Sequence, residues 1–456
     1  MSARTLVVAL DATDYRVFRQ LEKLGLVPVL YKLAAASGIV RVSRPQGLTD
    51  DAVWASFHYA CGPGGHGRYH WQRDDARARR YLFDTQGEEG LRSWWMPLAE
   101  QGHRIAIFDL PKARLTRHEN LLHLADWLVH GRYGSDVKSS PPEIADEVQS
   151  RFGPMPHSYC RDLDWLDPSG CMDEIVASLL ASVDLKLRAA LHYLKSEDWA
   201  LFATSFKEIH CISHIVSAAH IPGPDHPVAV VFAAVDRALG KLVDAAGPEC
   251  RVCVYCTTGM GPNQSLDHHA PELVARLNRL IDRRWPGLGL LSRKPRPIVS
   301  QLPYNEDALT LRIQAPFGLF RKQIVDFVET CLMELRREAD DAPVVLRCQR
   351  WADTYPGARA RRLPDLVALL RPEIRQPEAI SSRTLGHFRN APQAIRAGNH
   401  KGDGFCILPA GEQVPAALHP EDIGPMLARG LVEEAGNARD VQPDRPQSQP
   451  VSPSIA

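Results

Sequence analysis

The sequence predicts an α/β fold, a largely parallel sheet covered by helices on both faces. Three observations carry that expectation. Short apolar runs recur along the chain at Leu6 to Leu10, Arg104 to Phe108, Trp199 to Phe206 and Val252 to Tyr255. Helical patterns at Tyr15 to Leu24, Glu174 to Leu194 and Val228 to Ala245 stand between some of them, and strands alternating with helices imply parallel pairing. The chain of 456 residues, 45% hydrophobic and 24% charged, has the composition of an ordinary globular protein.

The first run, LVVAL, is apolar without interruption, as in a strand buried on both faces, and ends in Asp11. The helix that follows puts Val17, Leu21 and Leu24 on one side, and Gly25 is placed to end it. From about 73 to 173 the chain is richer in Trp, Arg, Asp and Pro and is expected to form a cap-like insertion. From about 293 to 370, strand-like pieces (Ala308 to Ile313, Val344 to Cys348) and a helical stretch (Arg321 to Arg337) suggest a small subdomain. Residues 1–435 are expected to form one domain, and 436–456, rich in Pro, Ser, Gln and Asp, a disordered tail.

Lys plus Arg (54) equals Asp plus Glu (54), so no bulk basic field draws in a nucleic acid or an anionic membrane. The apolar run at the start is too short for a secretory signal, and no stretch approaches the ~18 apolar residues of a membrane span. The ten cysteines are scattered, which suggests reduced thiols in the cytoplasm. Cys250, Cys253 and Cys256 lie on a strand-like segment, where residues three apart face opposite ways; buried strand cysteines are expected there in preference to a zinc knuckle.

Four motifs offer chemistry. Asp11, directly after a buried parallel strand, sits where open α/β sheets place ligands, although a turn or cap role competes. Thr49 precedes Asp50-Asp51-Ala-Val-Trp54-Ala-Ser-Phe57 and then Gly62-Pro-Gly-Gly-His-Gly67; its hydroxyl is a candidate nucleophile at a loop-to-helix junction, or a plain N-cap. His210 and His214, four apart on a helix behind an apolar run, can chelate one ion. His400 stands in a glycine-flanked loop and offers a third ligand. Finally, Thr257 and Thr258 lead into Gly259-Met-Gly-Pro-Asn263, with His268 and His269 shortly after, suited to a ligand-facing loop or an ordinary turn.

Taken together, ALDATD at the first strand, the Thr49 loop through GPGGHG, the metal-type pair four apart, GMGPN, Leu363-Pro-Asp-Leu366 and GNHKGDGFCILPAG resemble the alkaline phosphatase superfamily. The similarity is to its type I phosphodiesterase/nucleotide pyrophosphatase branch and related phosphohydrolase/phosphomutase proteins, and spans roughly Thr5 to Leu427. It implies an alkaline phosphatase-like layered fold, a large mixed and mostly parallel sheet between helices. It also implies two metal ions bridged by the substrate phosphate, with a Thr or Ser nucleophile between them. On this resemblance Asp11 is a metal ligand and Thr49 the nucleophile, with the segment to Ser56 one residue longer than usual. His210 and His214 fall on an Asp and a His ligand of one metal, and His400 on its remaining His.

The sequence departs from that pattern at Thr257 and Thr258, where the family has an Asp-His pair binding the other metal. Neutral hydroxyls are poor ligands, so the expectation is one ion, zinc or another divalent metal, on three imidazoles, with a doubtful second site. His268 or His269 is a possible substitute ligand. Three His with an open fourth position is the pattern of a catalytic zinc that activates water near neutral pH. The chain is therefore expected to be a metal-dependent hydrolase or transferase acting on a small phosphate ester or phosphodiester, with no nucleic-acid or membrane partner. The alternative is an inactive pseudoenzyme of the same fold.

Overall fold

A computed structural model describes residues 4–434 apart from 46, 49, 71, 76–79, 84–89, 129–136, 157–169, 219, 289–296, 303–306 and 392–395. Thr49 and the expected tail 436–456 lie outside the described residues. The main sheet has eight strands: β1 (Thr5–Leu10), β2 (Ile39–Val42), β3 (Ile105–Phe108), β4 (Leu121–Ala125), β5 (Lys138–Ser140), β6 (Leu201–Phe206), β7 (Arg251–Pro262) and β8 (Gly398–Ile407). They lie in the order β2-β8-β7-β1-β6-β3-β4-β5. The five strands from β7 to β4 pair in parallel, while β5, β8 and β2 add antiparallel edges. This is the mixed, mostly parallel sheet that the sequence predicts.

Period-two alternation on β1 divides its side chains between two cores. Leu6, Val8 and Leu10 pack with Phe18, Phe206 and Ile212, whereas Val7 and Ala9 pack with Trp54, Phe57 and Tyr255. Full burial of each such aliphatic chain contributes about 1.5–3 kcal/mol. With both faces covered, polar atoms can gather only at the strand ends. Helix α1 (Tyr15–Lys23) begins at Asp14, whose carboxylate accepts from the Arg16 N–H, and stops before Gly25 at φ 68°, as the sequence indicates. Cys253 and Cys256 belong to the two opposite cores, in line with their spacing.

Three expectations need correction. The stretch 73–173 is not simply a cap, because it supplies β3, β4 and β5; its Trp- and Pro-rich connections obscured short strands such as LLHLA. The inserted subdomain instead lies between β7 and β8 and exceeds 293–370. It contains a four-stranded antiparallel sheet (Val299–Gln301, Ala308–Ile313, Leu366–Leu370, Val345–Gln349), a three-stranded sheet (Arg336–Arg337, Ala379–Ser382, Gly386–Arg389) and helices Ala270–Arg284 and Arg321–Met333. Leu273, Leu277, Leu311, Val328, Leu366 and Phe388 share its separate core. Likewise β7 runs through Thr257 to Pro262 instead of turning, because β8 returns antiparallel beside it and completes its hydrogen bonds.

Candidate metal centre

The carboxyl edge of the sheet gathers the polar residues. Asp11 follows β1, and its N–H donates to Phe206 O at the end of β6 (2.9 Å). Helix α3 (Glu208–Ile215) starts two residues later. Ile209, Cys211, Ile212 and Ile215 enter the apolar core, which leaves His210 and His214, one turn apart, directed together into the site. β8 delivers His400. Its approach to α3 depends on Gly398, where an added Cβ would lie 2.2 Å from Ser213 O. The Ala397 N–H bonds His214 O (2.9 Å).

The three rings converge through Nε2. His210 Nε2 lies 2.6 Å from His214 Nε2 and 2.9 Å from His400 Nε2, and each residue is at most 1% exposed. Their outer nitrogens decide what those contacts mean. His214 Nδ1 is 2.8 Å from the Gly398 carbonyl, which only accepts, so Nδ1 carries the proton. His210 Nδ1 is 2.8 Å from Asp11 Oδ2 and donates in the same way. His400 Nδ1 points towards Asp50 Oδ1 at 4.0 Å. The three Nε2 atoms therefore meet within hydrogen-bonding range of one another, an arrangement that can share a proton or close on one cation. Burial, followed by the fields of His210, Arg396 and His400, pushes the His214 pKa well down and keeps that ring neutral. Far-side acceptors that fix the tautomer are the usual outer partners of metal-binding imidazoles.

Beside this trio, ligating atoms of Asp11, Asp50 and His210 also lie within 4.8 Å of one another. That second place is differently furnished. Asp11 Oδ1 accepts from Trp54 Nε1 (3.0 Å), while Oδ2 holds His210. Trp54 and Asp50 share one side of helix α2 (Asp50–Tyr59), four residues apart. Asp50 Oδ2 is paired with the ammonium of Lys112, which also lies 3.4 Å from Asp51 Oδ2. Burial acts first to raise the Asp50 pKa, but Lys112, His400 and His210 outweigh it and hold the carboxyl ionised. For Lys112 burial works against the charge, and Asp50, Asp51 and Asp11 reverse that effect.

The threonines are committed to the fold. Thr257 Oγ1 accepts from the Ala12 N–H (3.1 Å) and lies 3.4 Å from Asp11 Oδ1; Thr258 Oγ1 donates to Gly259 O (2.8 Å). His268 and His269 do not join the centre: both Nε2 atoms lie against Pro377 O, at 2.9 and 2.7 Å, and neither belongs to a cluster of ligating atoms among the described residues. Among the described residues the ligating atoms thus gather in two sets that share His210, one of three imidazoles and one of two carboxylates with an imidazole, and neither threonine nor His268 or His269 belongs to either. In the glycine motif, a Cβ on Gly64 would be 2.2 Å from Tyr355 O, so the motif lets α2 and its loop meet the subdomain. His66 Nε2 contacts Ser56 Oγ (3.1 Å) and ties that loop to α2. Sequence reasoning missed Asp50, Trp54 and Lys112. Asp50 and Trp54 carried a signal in their four-residue spacing, whereas Lys112 stands in an irregular loop at φ 61° with none.

A cavity of about 830 Å³ lies on the other side of Lys401, the residue after His400, bordered by Arg16, Arg44, Asp307, Lys401 and Phe405. None of the three histidines lines it. Among the described residues no helix is long and apolar enough to cross a membrane.

An α/β sheet of this topology with polar residues at its carboxyl edge defines an alkaline phosphatase-like fold. The phosphonoacetate hydrolase of Sinorhizobium meliloti 1021, in complex with phosphonoformate, is similar over 94% of this chain and 95% of its own, with a TM-score of 0.59 at 12% identity. Murine ectonucleotide pyrophosphatase/phosphodiesterase 5 is similar over the same shares, with a TM-score of 0.52 at 14% identity. Its inactive form in complex with AMP gives 0.51 at 13%. No protein-family model and no curated protein sequence matches the chain. The chain thus shares the fold of the nucleotide pyrophosphatase/phosphodiesterase-type members of the alkaline phosphatase superfamily.

Proposed function

We propose that this chain is a metal-dependent hydrolase or transferase acting on a small phosphate ester, phosphodiester or phosphonate, with one ion, zinc in the first instance, on His210, His214 and His400. The observation that carries the reading is the convergence of three buried imidazoles, His210, His214 and His400, whose ligating atoms all lie within 4.8 Å of one another. The bound small molecules of the structural neighbours, phosphonoformate and AMP, support the substrate class. Zinc in that position would serve as a Lewis acid towards a substrate oxygen.

The chain's own groups have separable roles. Asp11 holds the Nδ1 proton of His210 and the indole N–H of Trp54, which keeps the ring in ligating orientation. Thr49, immediately before α2, is the proposed nucleophile; the start of a helix favours the negative charge that develops beside it. The buried thiols of Cys253, Cys256 and Cys406 support a reducing, cytoplasmic setting.

Elemental analysis combined with a screen of phosphomonoesters, phosphodiesters, phosphonates and sulfate esters tests this reading. Bound metal with turnover supports it, and Thr49→Ala should then abolish turnover while wild type yields an acid-stable phosphothreonine. Nearly full activity in Thr49→Ala would move the attack to water. A second reading, an inactive protein that keeps the pocket, is favoured by the threonines at 257 and 258. It prevails if the metal-loaded chain turns over no ester class.

A further inference from the structure

Next to the three imidazoles, at the Asp11–Asp50 cluster of ligating atoms, the chain brings a cation of its own to the carboxylates. We propose that the Lys112 ammonium is a built-in cation that substitutes for the second ion, holding Asp50 and Asp51 so that the centre takes one metal only. The inference rests on the single-ion reading above and adds a positioning residue to it.

Three observations converge. Lys112 is only 5% exposed, yet its ammonium has left water for two buried carboxylates, contacting Asp50 directly and lying 3.4 Å from Asp51. Ionised groups are buried in this way only when paired, because each one loses several kcal/mol of hydration. Second, the pairing uses Asp50 Oδ2, an oxygen of the residue that clusters with Asp11 and His210 as a potential ligand set. An ammonium there makes that carboxylate a poor ligand, and a divalent ion would also meet like charge. Third, the usual ligands are missing on the opposite wall, where Thr257 and Thr258 spend their hydroxyls on Ala12 and Gly259.

Charge balance favours the same arrangement. Counted formally, the three buried carboxyl groups of Asp11, Asp50 and Asp51 against the Lys112 ammonium are balanced by one divalent ion. A second divalent ion would leave a buried excess of two positive charges. With the lysine absent, Asp11 and Asp50 would regain the need for a counter-cation. The Lys112 loop is also held in place from the glycine-motif side, where its carbonyl accepts from Arg68 Nη1 at 3.0 Å while the side chain reaches α2.

The test is the zinc stoichiometry of the full-length chain, read by elemental analysis after equilibrium dialysis against buffered zinc, with no activity required. The unaltered chain and Lys112→Arg, which keeps the charge, should each hold one ion. Lys112→Met should hold a second, bound on the order of a hundredfold more tightly than any extra ion on the unaltered chain, since a neighbouring unit charge has been removed. Should Lys112→Met fail to fold, Lys112→Gln, which removes the charge but keeps an amide donor beside Asp50, carries the same expectation. A folded Lys112→Met or Lys112→Gln variant that stays at one ion, or an unaltered chain with two, overturns the inference and leaves the imidazole site standing. An unaltered chain with no ion overturns the imidazole site itself, and this proposal with it.

Discussion

Two places at the same sheet edge, sharing His210 between them, are built on opposite principles. The imidazole trio turns its inner nitrogens towards one another while every outer nitrogen faces an acceptor, so three ligating atoms converge with no side-chain cation of the chain recorded against them among the described residues. The Asp11–Asp50 place is saturated, with one carboxylate shared by Trp54 and His210 and the other closed by Lys112. The difference shows that retained acidic residues do not by themselves make a metal site. What matters is whether the lone pairs are left over after the protein's own donors have been counted.

The comparison breaks most severely if the trio is dispensable. His400→Ala or His214→Ala removes one of three ligands and should weaken metal binding by more than the ~100-fold that loss of an outer partner causes, and abolish turnover. Dialysis followed by elemental analysis reads this directly. Cys253→Ser is the matching control, expected to leave metal content unchanged, because its sulfur lies 3.6 Å from Cys406 Sγ in the apolar core. The assignment is wrong if the cysteine variant loses the ion and the histidine variants keep it.

A smaller effect sharpens the role of Asp11. If it orients His210, Asp11→Asn should lower metal affinity by roughly 10- to 100-fold without abolishing it. A chelator competition titration separates this from the near-complete loss expected for a removed histidine.

Acid sensitivity gives a third, milder check, on the scaffold that holds both places. Burial pushes His58, His66 and His123 down to about 3. Unfolded, these rings take up a proton near pH 6.5, so between about 3 and 6.5 the unfolded chain binds more protons than the folded one. Stability should be level above that window and fall as the pH drops through it, by roughly 2 kcal/mol for each such histidine at pH 5. Urea midpoints at pH 7.5 and 5.0 measure the loss; equal midpoints would contradict the buried, neutral state of these rings.

Much of the fold was legible because buried parallel strands leave a simple mark. LVVAL is a continuous apolar run followed at once by Asp11, and the mostly apolar Trp199 to Phe206 leads within four residues to His210. The i, i+4 spacing of His210 and His214 was legible for the same local reason. What local pattern cannot show is pairing across hundreds of residues. β7 read as a strand with a loop after it because its extension depends on β8, far along the chain. Lys112 carried no signal at all, since its meaning lies in Asp50 and Asp51, sixty residues earlier and on another element. The missing Asp-His pair at Thr257 and Thr258 was visible; the cation that compensates for it was not.

Anomalous diffraction at the zinc edge, from crystals of the chain dialysed against zinc, tests the central claim most directly. A single peak about 2.0–2.1 Å from Nε2 of His210, His214 and His400, with none between Asp11 and Asp50, is the predicted result. A peak on cysteine sulfur, a second peak at the Asp11–Asp50 place, or no peak at the three histidines would contradict it.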